Sequence, residues 1–364
     1  MTENKIFRVL DTGVLEGRLN IAIGQAIIES RQAGRVPDTL RFLRFPPTAL
    51  VGRHQALGQE VDLDYCRRKD IGVVRRITGG GAIFMEPGLL GWELAFDRKT
   101  LGVSSLPELT RAICEAAAEG ISSLGVTASY RPRNDIEVDG RKVSGTGGFF
   151  DGDTLIYQGT VLVDVDPARM MSALKVPQAK LARHGAASAA QRIVSLRELL
   201  GDATPSMPAL QEALLEGFAS RLGLAWRAAE IDPEEEALAR RLHDEEIGTD
   251  GFVEEITEPA DATAFLSGSH ACPGGTVTAF VRLEGRPGNR LGQVLFTGDF
   301  FVAPPRVVFD LESSLKGLAP AEAVPAVEAF FRGRELAALS VTPADFRAAL
   351  QAALADGAKT GAAT

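Results

Sequence analysis

Two short runs, "NDIEV" ending at Val138 and "KVSG" starting at Lys142, flank the dipeptide Asp139-Gly140. Both central residues of the tightest β-hairpin turn need positive φ, and Asp-Gly supplies them at low steric cost. This is the strongest short-range hairpin signal in the chain, and it predicts two paired strands. Lys142 then stands on the return strand, across the hairpin from Asn134 and Asp135. A lone lysine near a turn is usually a solvated edge charge. Whether this one instead faces a negatively charged ligand depends on what else the chain supplies.

The chain has 364 residues, which suggests two domains at about 150 residues each. Hydrophobic residues make up 45% and charged residues 24%, ordinary for a globular protein with a proper core. Cys66, Cys114 and Cys272 are too few and too scattered for a disulfide framework, and none belongs to a CxxC pair. Cys114 falls in a helical pattern and reads as a small buried apolar residue. The start "MTENKIFRVLDTG" has no basic segment followed by an apolar run, so no signal peptide is expected. No run approaches the ~18 apolar residues of a membrane span. A cytoplasmic enzyme is expected. The net charge of −9 argues against general nucleic-acid binding, although arginines and lysines gather near glycines in "VVRRITGGG", "YRPRND" and "GRKVSG".

Along the chain, "LNIAIGQAIIESRQAG" reads as a helix with Asn20 as its N-cap and Gly34 and Pro37 as its stop. "LRFLRF", "TALVGRHQ" running into a glycine loop, "GAIF" and "GWELAF" read as strands, and Leu106–Leu124 as a long amphipathic helix opened by Ser104-Ser105. "TLIYQGTVLVDVD" is a further strand; "DPARMMSAL", "SLRELL" and "MPALQEALLEGFASRL" are helical. "AAEIDPEEEALARRLHDEE" suits an exposed connecting helix whose acidic runs form a solvated face. Glycine-punctuated strands are expected in "GTVTAFVRLEG", "GQVLFTGDFFV" and "VVFDLESSL", then two helices and a fraying Ala/Gly/Thr tail. No internal repeat is visible. The expected division is an α/β domain over residues 1–235 and a smaller α+β domain over residues 246–364.

Two segments carry chemistry. In "RRITGGGAIF", three glycines between strands let backbone approach a ligand closely, and successive N–H groups can cradle a phosphate or carboxylate. Arg75 and Arg76 add charge and Thr78 a hydroxyl; the bland alternative is a flexible hairpin with two surface arginines. In "RPRNDIEVDGRKVSG", Asn134 and Asp135 offer oxygens to a nucleotide hydroxyl or to a Mg²⁺ already carried by phosphates, with Lys142 converging on the same group. His54, His184, His243 and His270 form no ligand spacing, so no structural zinc is expected. His54, in "GRHQ", is expected to pack or hydrogen-bond.

Taken together and in order, "RRITGGGAIF", "RND", "GRKVSG" and "GTVLVD" make the chain resemble the lipoate–protein ligases of the biotin/lipoate ligase superfamily. "NIAIGQAI", "GRHQ" and "RIVSLRELL" add to the resemblance, and "TGDFFVAPPRVVFDLESSL" resembles the family's small accessory domain, so nearly the whole chain is covered. The resemblance implies an α/β fold with a mixed or antiparallel sheet and a small α+β C-terminal domain that swings between steps. It implies that Mg·ATP and lipoate form lipoyl-AMP, and that the acyl group passes to a lysine of a lipoyl domain. The acceptor would be a 2-oxoacid dehydrogenase acyltransferase subunit, a glycine cleavage H protein or another such carrier. Lys142 matches the family's catalytic lysine, bridging acyl carbonyl and phosphate; such a preorganised group is worth ~10²–10³ in rate. Arg75, Arg76, Thr78, Gly79, Gly80, Gly81, Ala82, Asn134, Asp135, Ser144, Gly145, Gly159 and Thr160 match positions that bind the substrate and adenylate, with Asp135 nearest the magnesium.

The chain departs from that pattern in places. Met85-Glu86 stands where the family has His-Asp, Leu89 and Gly91 where it has asparagines, and Gln158-Gly159-Thr160 where it has His-Gly-Thr. Lipoate, octanoate or a related acid thus remain open as the substrate. An ATP-independent octanoyltransferase, which forms a thioester on a cysteine, would want a cationic, accessible thiol, and no cysteine follows "GTVLVDVD" where those transferases carry theirs. A biotin ligase would need a Gly-Arg-Gly-Arg-type loop. A non-catalytic lipoate- or nucleotide-binding module is the remaining alternative. Lipoate-dependent exchange of pyrophosphate into ATP separates the ligase from transferase and binder.

Overall fold

The computed structural model describes residues 5–102, 105–132, 134–175, 191–259, 264–285, 289–334, 337–338 and 341–360. His184 and the C-terminal tail from residue 361 lie outside these. The chain forms two compact units. The first comprises Met1–Leu50, Val61–Arg75 and Ile83–Val253; the second comprises Val51–Glu60, Arg76–Ala82 and Glu254–Thr364.

The first unit is built on an eight-stranded mixed sheet. Its strands are β1 (Lys5–Val14), β2 (Thr39–Arg44), β6 (Leu89–Asp97), β7 (Ala128–Arg131), β8 (Asp135–Val138), β9 (Arg141–Asp151), β10 (Thr154–Leu162) and β11 (Leu224–Ala228). They lie in the order β11-β1-β2-β6-β10-β9-β8-β7. β1 pairs in parallel with both β11 and β2, and every other pair is antiparallel. A three-stranded sheet, β4 (Gly72–Arg75), β3 (Thr48–Val51) and β5 (Ile83–Met85), accompanies it.

Helix α1 (Gly17–Gln32) starts earlier than the sequence pattern suggests. Glu16 is its N-cap, accepting the Leu19 N–H at 2.8 Å. Asn20, the expected cap, lies inside the helix. It is buried, its Nδ2 donating to the Leu15 and Arg44 carbonyls at 3.0 and 2.8 Å and its Oδ1 accepting from Arg41. Its side chain fastens the helix to β2, so it is not available to the helix end. The short helices α2 (Leu57–Glu60) and α3 (Leu63–Arg68) follow β3. α4 (Leu106–Ser122) opens with Ser105 accepting the Glu108 N–H, a standard N-cap. Its buried stripe Leu106, Leu109, Ile113, Ala117 and Ile121 recurs at helical spacing and includes Cys114.

Beyond the sheet come α5 (Pro167–Ala173), α6 (Leu196–Leu200), α7 (Met207–Leu222) and α8 (Pro233–Leu242). The acidic start of α8 is only partly solvated. Glu235 is 1% exposed, closes a capping box with Asp232, and pairs with the equally buried Arg8, whose Nε also donates to Thr39. The run Asp244–Glu246 is exposed as expected.

In the second unit, β12 (Leu266–Cys272), β13 (Gly275–Glu284) and β14 (Arg290–Gly298) form an antiparallel sheet. Three helices accompany this sheet, Arg306–Leu315, Pro320–Phe331 and Pro343–Thr360. The first of these corrects the reading of "VVFDLESSL" as a strand. Val307, Val308, Leu311 and Leu315 are all buried, and that spacing marks one face of a helix. Phe296, Phe300, Phe331 and Phe346 form the centre of this core, with T-shaped pairs at 5.3 and 5.4 Å. Among the described residues, no helix is long and apolar enough to cross a membrane.

Glu312 is buried in this core, its Oε1 accepting the Phe296 N–H at 2.6 Å. Burial pushes its carboxyl up to about 8, with Glu255 adding to the rise and the Phe296 amide and Lys316 opposing it. The unfolded chain releases this proton near pH ~4.3, whereas the folded chain keeps it until about 8. The folded state therefore binds more protons across that window, and stability falls as pH rises through it. Glu312→Gln keeps the acceptor and removes the titration. Urea midpoints at pH 5 and 8.5 should show the variant gaining on the wild type by a few kcal/mol at the higher pH. Parallel pH profiles would count against a buried neutral carboxyl.

Candidate active site

Asp139 and Gly140 have φ of 49° and 74°, the double positive φ that the Asp-Gly signal demands. β8 and β9 pair on either side, with Glu137 opposite Lys142 and Asp135 opposite Gly145. The register shifts between Ile136 and Glu137, where β9 carries an extra residue. That bulge turns Lys142 toward the face of Gly145: a Cβ built on Gly145 would lie 2.6 Å from Lys142 Nζ. The Lys142 main chain is held from the other side as well. Its N–H donates to the Arg192 carbonyl at 2.8 Å, and its carbonyl accepts the Val194 N–H at 2.9 Å. The Lys142 side chain is 38% exposed, and its ammonium lies 2.7 Å from Asp135 Oδ1. Arg131 binds Asp135 Oδ2 at 2.6 Å and Glu137 at 2.6 Å.

The two faces of β9 and β10 differ. Thr146 and Tyr157 are buried against Cys114 of α4. Gly145, Gly147, Gln158 and Thr160 are partly exposed between buried neighbours, so the opposite face is open. The register sets Asp135, Gly145, Thr160, Gly91 and Leu43 in one row and Gly147, Gln158, Glu93 and Arg41 in the next. A shallow trough thus begins at the Lys142–Asp135 pair and runs over glycines. It ends where Leu43 covers Gly91, at 3.1 Å from the position of a Cβ.

Several expected ligand contacts are otherwise engaged. Asp135 does not fit a magnesium contact, because both its oxygens are held by cations and a divalent ion there would meet an ammonium and a guanidinium. Among the described residues, no group of three or more His, Cys, Asp or Glu could hold a metal. Asn134 uses its amide nitrogen on the Thr146 carbonyl and its own carbonyl on Thr146, so it braces β9 and is not turned to a nucleotide. Ser144 Oγ is buried on the far side of the strand without a hydrogen-bond partner among the described residues. Gly159 also faces away from the trough. A Cβ there would sit 2.1 Å from the Trp92 ring, so its glycine serves core packing. Thr160 is on the open face, its hydroxyl 3.5 Å from the Gly145 carbonyl.

Arg75 belongs to the first unit and is fully buried; its Nε donates to the Phe252 and Val253 carbonyls. It therefore staples the chain and does not present charge to a ligand. The glycine loop belongs to the second unit and is closed largely upon its own chain. Arg76 Nη2 donates to the Gly79 and Gly81 carbonyls at 3.0 and 2.9 Å, and burial pushes its guanidinium down to about 10. The Gly80 N–H donates to the Phe300 carbonyl at 3.1 Å. A Cβ on Gly79 would stand 2.1 Å from that same oxygen. Thr78 is buried and its carbonyl accepts the Arg53 N–H, while Ala82 is partly exposed. These glycines thus admit the Phe300 backbone, a role that a cradle for a ligand does not require. His54 packs as expected, stacked on Phe300 at 5.1 Å.

Burial pushes Cys66 up to about 11, and it raises Cys114 and Cys272 as well. Sequence reasoning missed Arg131, Gly147 and the hold of residues 192–194 on Lys142. The alternation of Gly145 and Gly147 along β9 was the available signal for the open floor, and nothing local marks the pairing with residues 192–194.

Residues 16–219 match the model of the lipoyl protein ligase A/B catalytic domain. The chain belongs to this family. It is an enzyme fold shared by proteins named ligase and transferase. Octanoyltransferase LipM of Kyrpidia tusciae is 29% identical over 260 residues, covering 65% of this chain and 94% of that one. Lipoate-protein ligase A subunit 1 of Thermoplasma acidophilum is 28% identical over 243 residues, covering 64% and 90%. Among solved structures, the bi-partite lipoate protein ligase of T. acidophilum, described with its E2 lipoyl domain, aligns with a TM-score of 0.62 at 27% identity, over 70% of this chain and 98% of that one. A lipoate-protein ligase A bound with ATP aligns at 0.61 and 25% identity, over 69% and 99%. LipL1 of P. falciparum, in complex with lipoate, shares the fold at 0.69 and 15% identity, over 90% and 95%.

Gly145→Ala tests the geometry. Its methyl group cannot share space with the Lys142 ammonium, so the amine must leave Asp135 while the strand stays paired. A displacement of about 1 Å at a reacting centre costs ~10²-fold, and acyl transfer by the variant should fall by that order with the melting temperature within a few degrees of wild type. Wild-type rates in the variant would remove Lys142 from the site.

Proposed function

We propose that the chain is an ATP-dependent lipoate–protein ligase acting in the cytoplasm. A lipoate carboxylate oxygen attacks the α-phosphorus of Mg·ATP, and the bond to pyrophosphate breaks with pyrophosphate taking the electron pair. The amine of an acceptor lysine then attacks the acyl carbonyl of lipoyl-AMP. The bond to AMP breaks and the amine loses a proton to solvent. The first step brings two anions together, so a fixed cation is the main thing the protein can supply. Lys142 supplies it, poised over glycines that leave room for the acyl-phosphate. Asp135 holds the ammonium before the ligand enters and stays paired to Arg131 when the ligand anion takes its place. Magnesium comes with the nucleotide.

One observation carries the choice of ligase over transferase: an ammonium stands on the open face, while each of the chain's three thiols is held above its ordinary range. A transferase that stores its acyl group as a thioester needs a thiolate nucleophile. The kinship with proteins named octanoyltransferase keeps that second reading in view. The acceptor we infer is a lipoyl-domain protein, either a 2-oxoacid dehydrogenase acyltransferase subunit or a glycine cleavage H protein. The T. acidophilum ligase described with its E2 lipoyl domain supports this reading.

Purified protein with Mg·ATP, lipoate and labelled pyrophosphate should pass label into ATP only when lipoate is present, and a lipoyl-domain acceptor should gain the lipoyl mass. Lys142→Ala should keep its melting temperature and lose ~10²–10³ in exchange rate. Loading of the acceptor from an octanoyl thioester without ATP, and without exchange, would instead make the protein a transferase. Tight binding of lipoate with neither reaction would make it a carrier.

A further inference from the structure

On the face of β9 and β10 turned away from the trough, three protonated groups form a directed chain. The Thr146 hydroxyl donates to the Asn134 carbonyl at 2.9 Å, the same oxygen that accepts the Thr146 N–H at 2.9 Å. With its only proton so placed, Thr146 Oγ1 must accept from the Tyr157 hydroxyl, 2.7 Å away. Cys114 Sγ lies 3.3 Å from the Tyr157 oxygen and 3.2 Å from Thr146 Oγ1, completing a triangle from which solvent is excluded. Burial raises both the thiol and the phenol, so each keeps its proton and the direction of the chain is fixed. The chain ends on the carbonyl immediately before Asp135, whose side chain holds Lys142.

We propose that Tyr157 is a positioning residue for the Lys142–Asp135 pair, acting through Thr146. This deepens the ligase reading and rests on it. The Asn134–Asp135 corner begins β8: Asp135 pairs with Arg131 of β7 and Gly145 of β9, while Asn134 stands before the ladder and is held by its own bonds. Two bonds from Thr146 to one carbonyl, and a third from the Asn134 amide to the Thr146 carbonyl, fix that corner against β9. The hydroxyl of Thr146 can turn freely unless something orients it. Tyr157 does so from a fully buried ring stacked on Trp92. In a low-dielectric setting such linked bonds reinforce one another, so losing the phenol hydroxyl loosens the terminal bond as well. Asp135 then wanders, and with it the ammonium.

Tyr157→Phe removes the hydroxyl and keeps the ring; Thr146→Val removes the hydroxyl at constant shape; Thr146→Ser restores it. Lipoate-dependent exchange of pyrophosphate into ATP gives kcat and KM for each. The expected result is a fall of ~10- to 10²-fold in kcat for Tyr157→Phe and Thr146→Val, with KM for ATP and lipoate changed by less than about threefold and Thr146→Ser near wild type. Undiminished kcat in Tyr157→Phe overturns the proposal. So does a loss in Thr146→Ser as large as in Thr146→Val, because packing and not the hydroxyl would then be at stake. Absence of exchange in the wild type reports on the ligase reading alone. In that event the same kcat ratios are read from acyl loading out of an octanoyl thioester, which uses the same amine.

Discussion

The arrangement depends on one ion pair set on a sheet with two unlike faces. β9 and β10 are packed on one side against α4, which removes their freedom to bend, and are open on the other over Gly145 and Gly147. An ammonium on such a strand has a fixed base and an unobstructed floor. The pair it makes with Asp135 is partly exposed, and pairs of that kind contribute little net stability. That weakness suits the role. A deeply buried pair would resist exchange, because breaking it strands a charge in low dielectric. In the proposed mechanism an incoming anion would replace Asp135 at the ammonium while Arg131 stays paired with the carboxylate. The same unit contains the contrasting case in Arg8–Glu235, where both groups are buried and the pair serves only to dock a helix.

Glycine has two opposed uses in this chain. Along β9, Gly145 leaves space that the Lys142 side chain occupies. In the segment 79–81, the missing side chains are already used by the protein's own backbone at Phe300, and Arg76 is turned inward onto the loop carbonyls. Both segments look alike as letters, since each puts small residues after basic ones. What separates them is whether the vacated space meets solvent or main chain, and that is a property of residues more than 200 positions away.

Legibility in the sequence follows the range of the interaction. The hairpin was readable because Asp139 and Gly140 set their own φ, and most helices because their apolar stripes are local. The order of motifs was enough to recognise the family. Asn20 was misread because its bonds go to Arg41 and Arg44 on β2, and Glu235 because its partner Arg8 is 227 residues away. "VVFDLESSL" combines β-branched Val307 and Val308, which favour strands, with a Val307, Val308, Leu311, Leu315 spacing that buries one face of a helix, and the burial decides. Lys142 and Gly145 lie side by side, as a hairpin with a bulged return strand places them. Arg75, Ser144, Gly159 and the metal role of Asp135 were not supported, because burial, strand face and ion pairing are fixed only when the sheet forms.

Relatives named octanoyltransferase and relatives named lipoate-protein ligase match this chain about equally well. Lys142 alone cannot distinguish the two chemistries. The difference lies earlier, in how the carboxylate is activated, either as a thioester on the protein or as a mixed anhydride with AMP. A thioester route leaves a mark that physics can read, since the thiol must be accessible and drawn toward its anion. In this chain Cys66 and Cys114 are buried and every cysteine is pushed toward the thiol, with Cys114 contributing its proton to a hydrogen-bonded triangle. An adenylate route asks nothing of cysteine and everything of a cation that two anions can meet at once. Under the proposed reading that cation is Lys142, set on β9 beside Asp135.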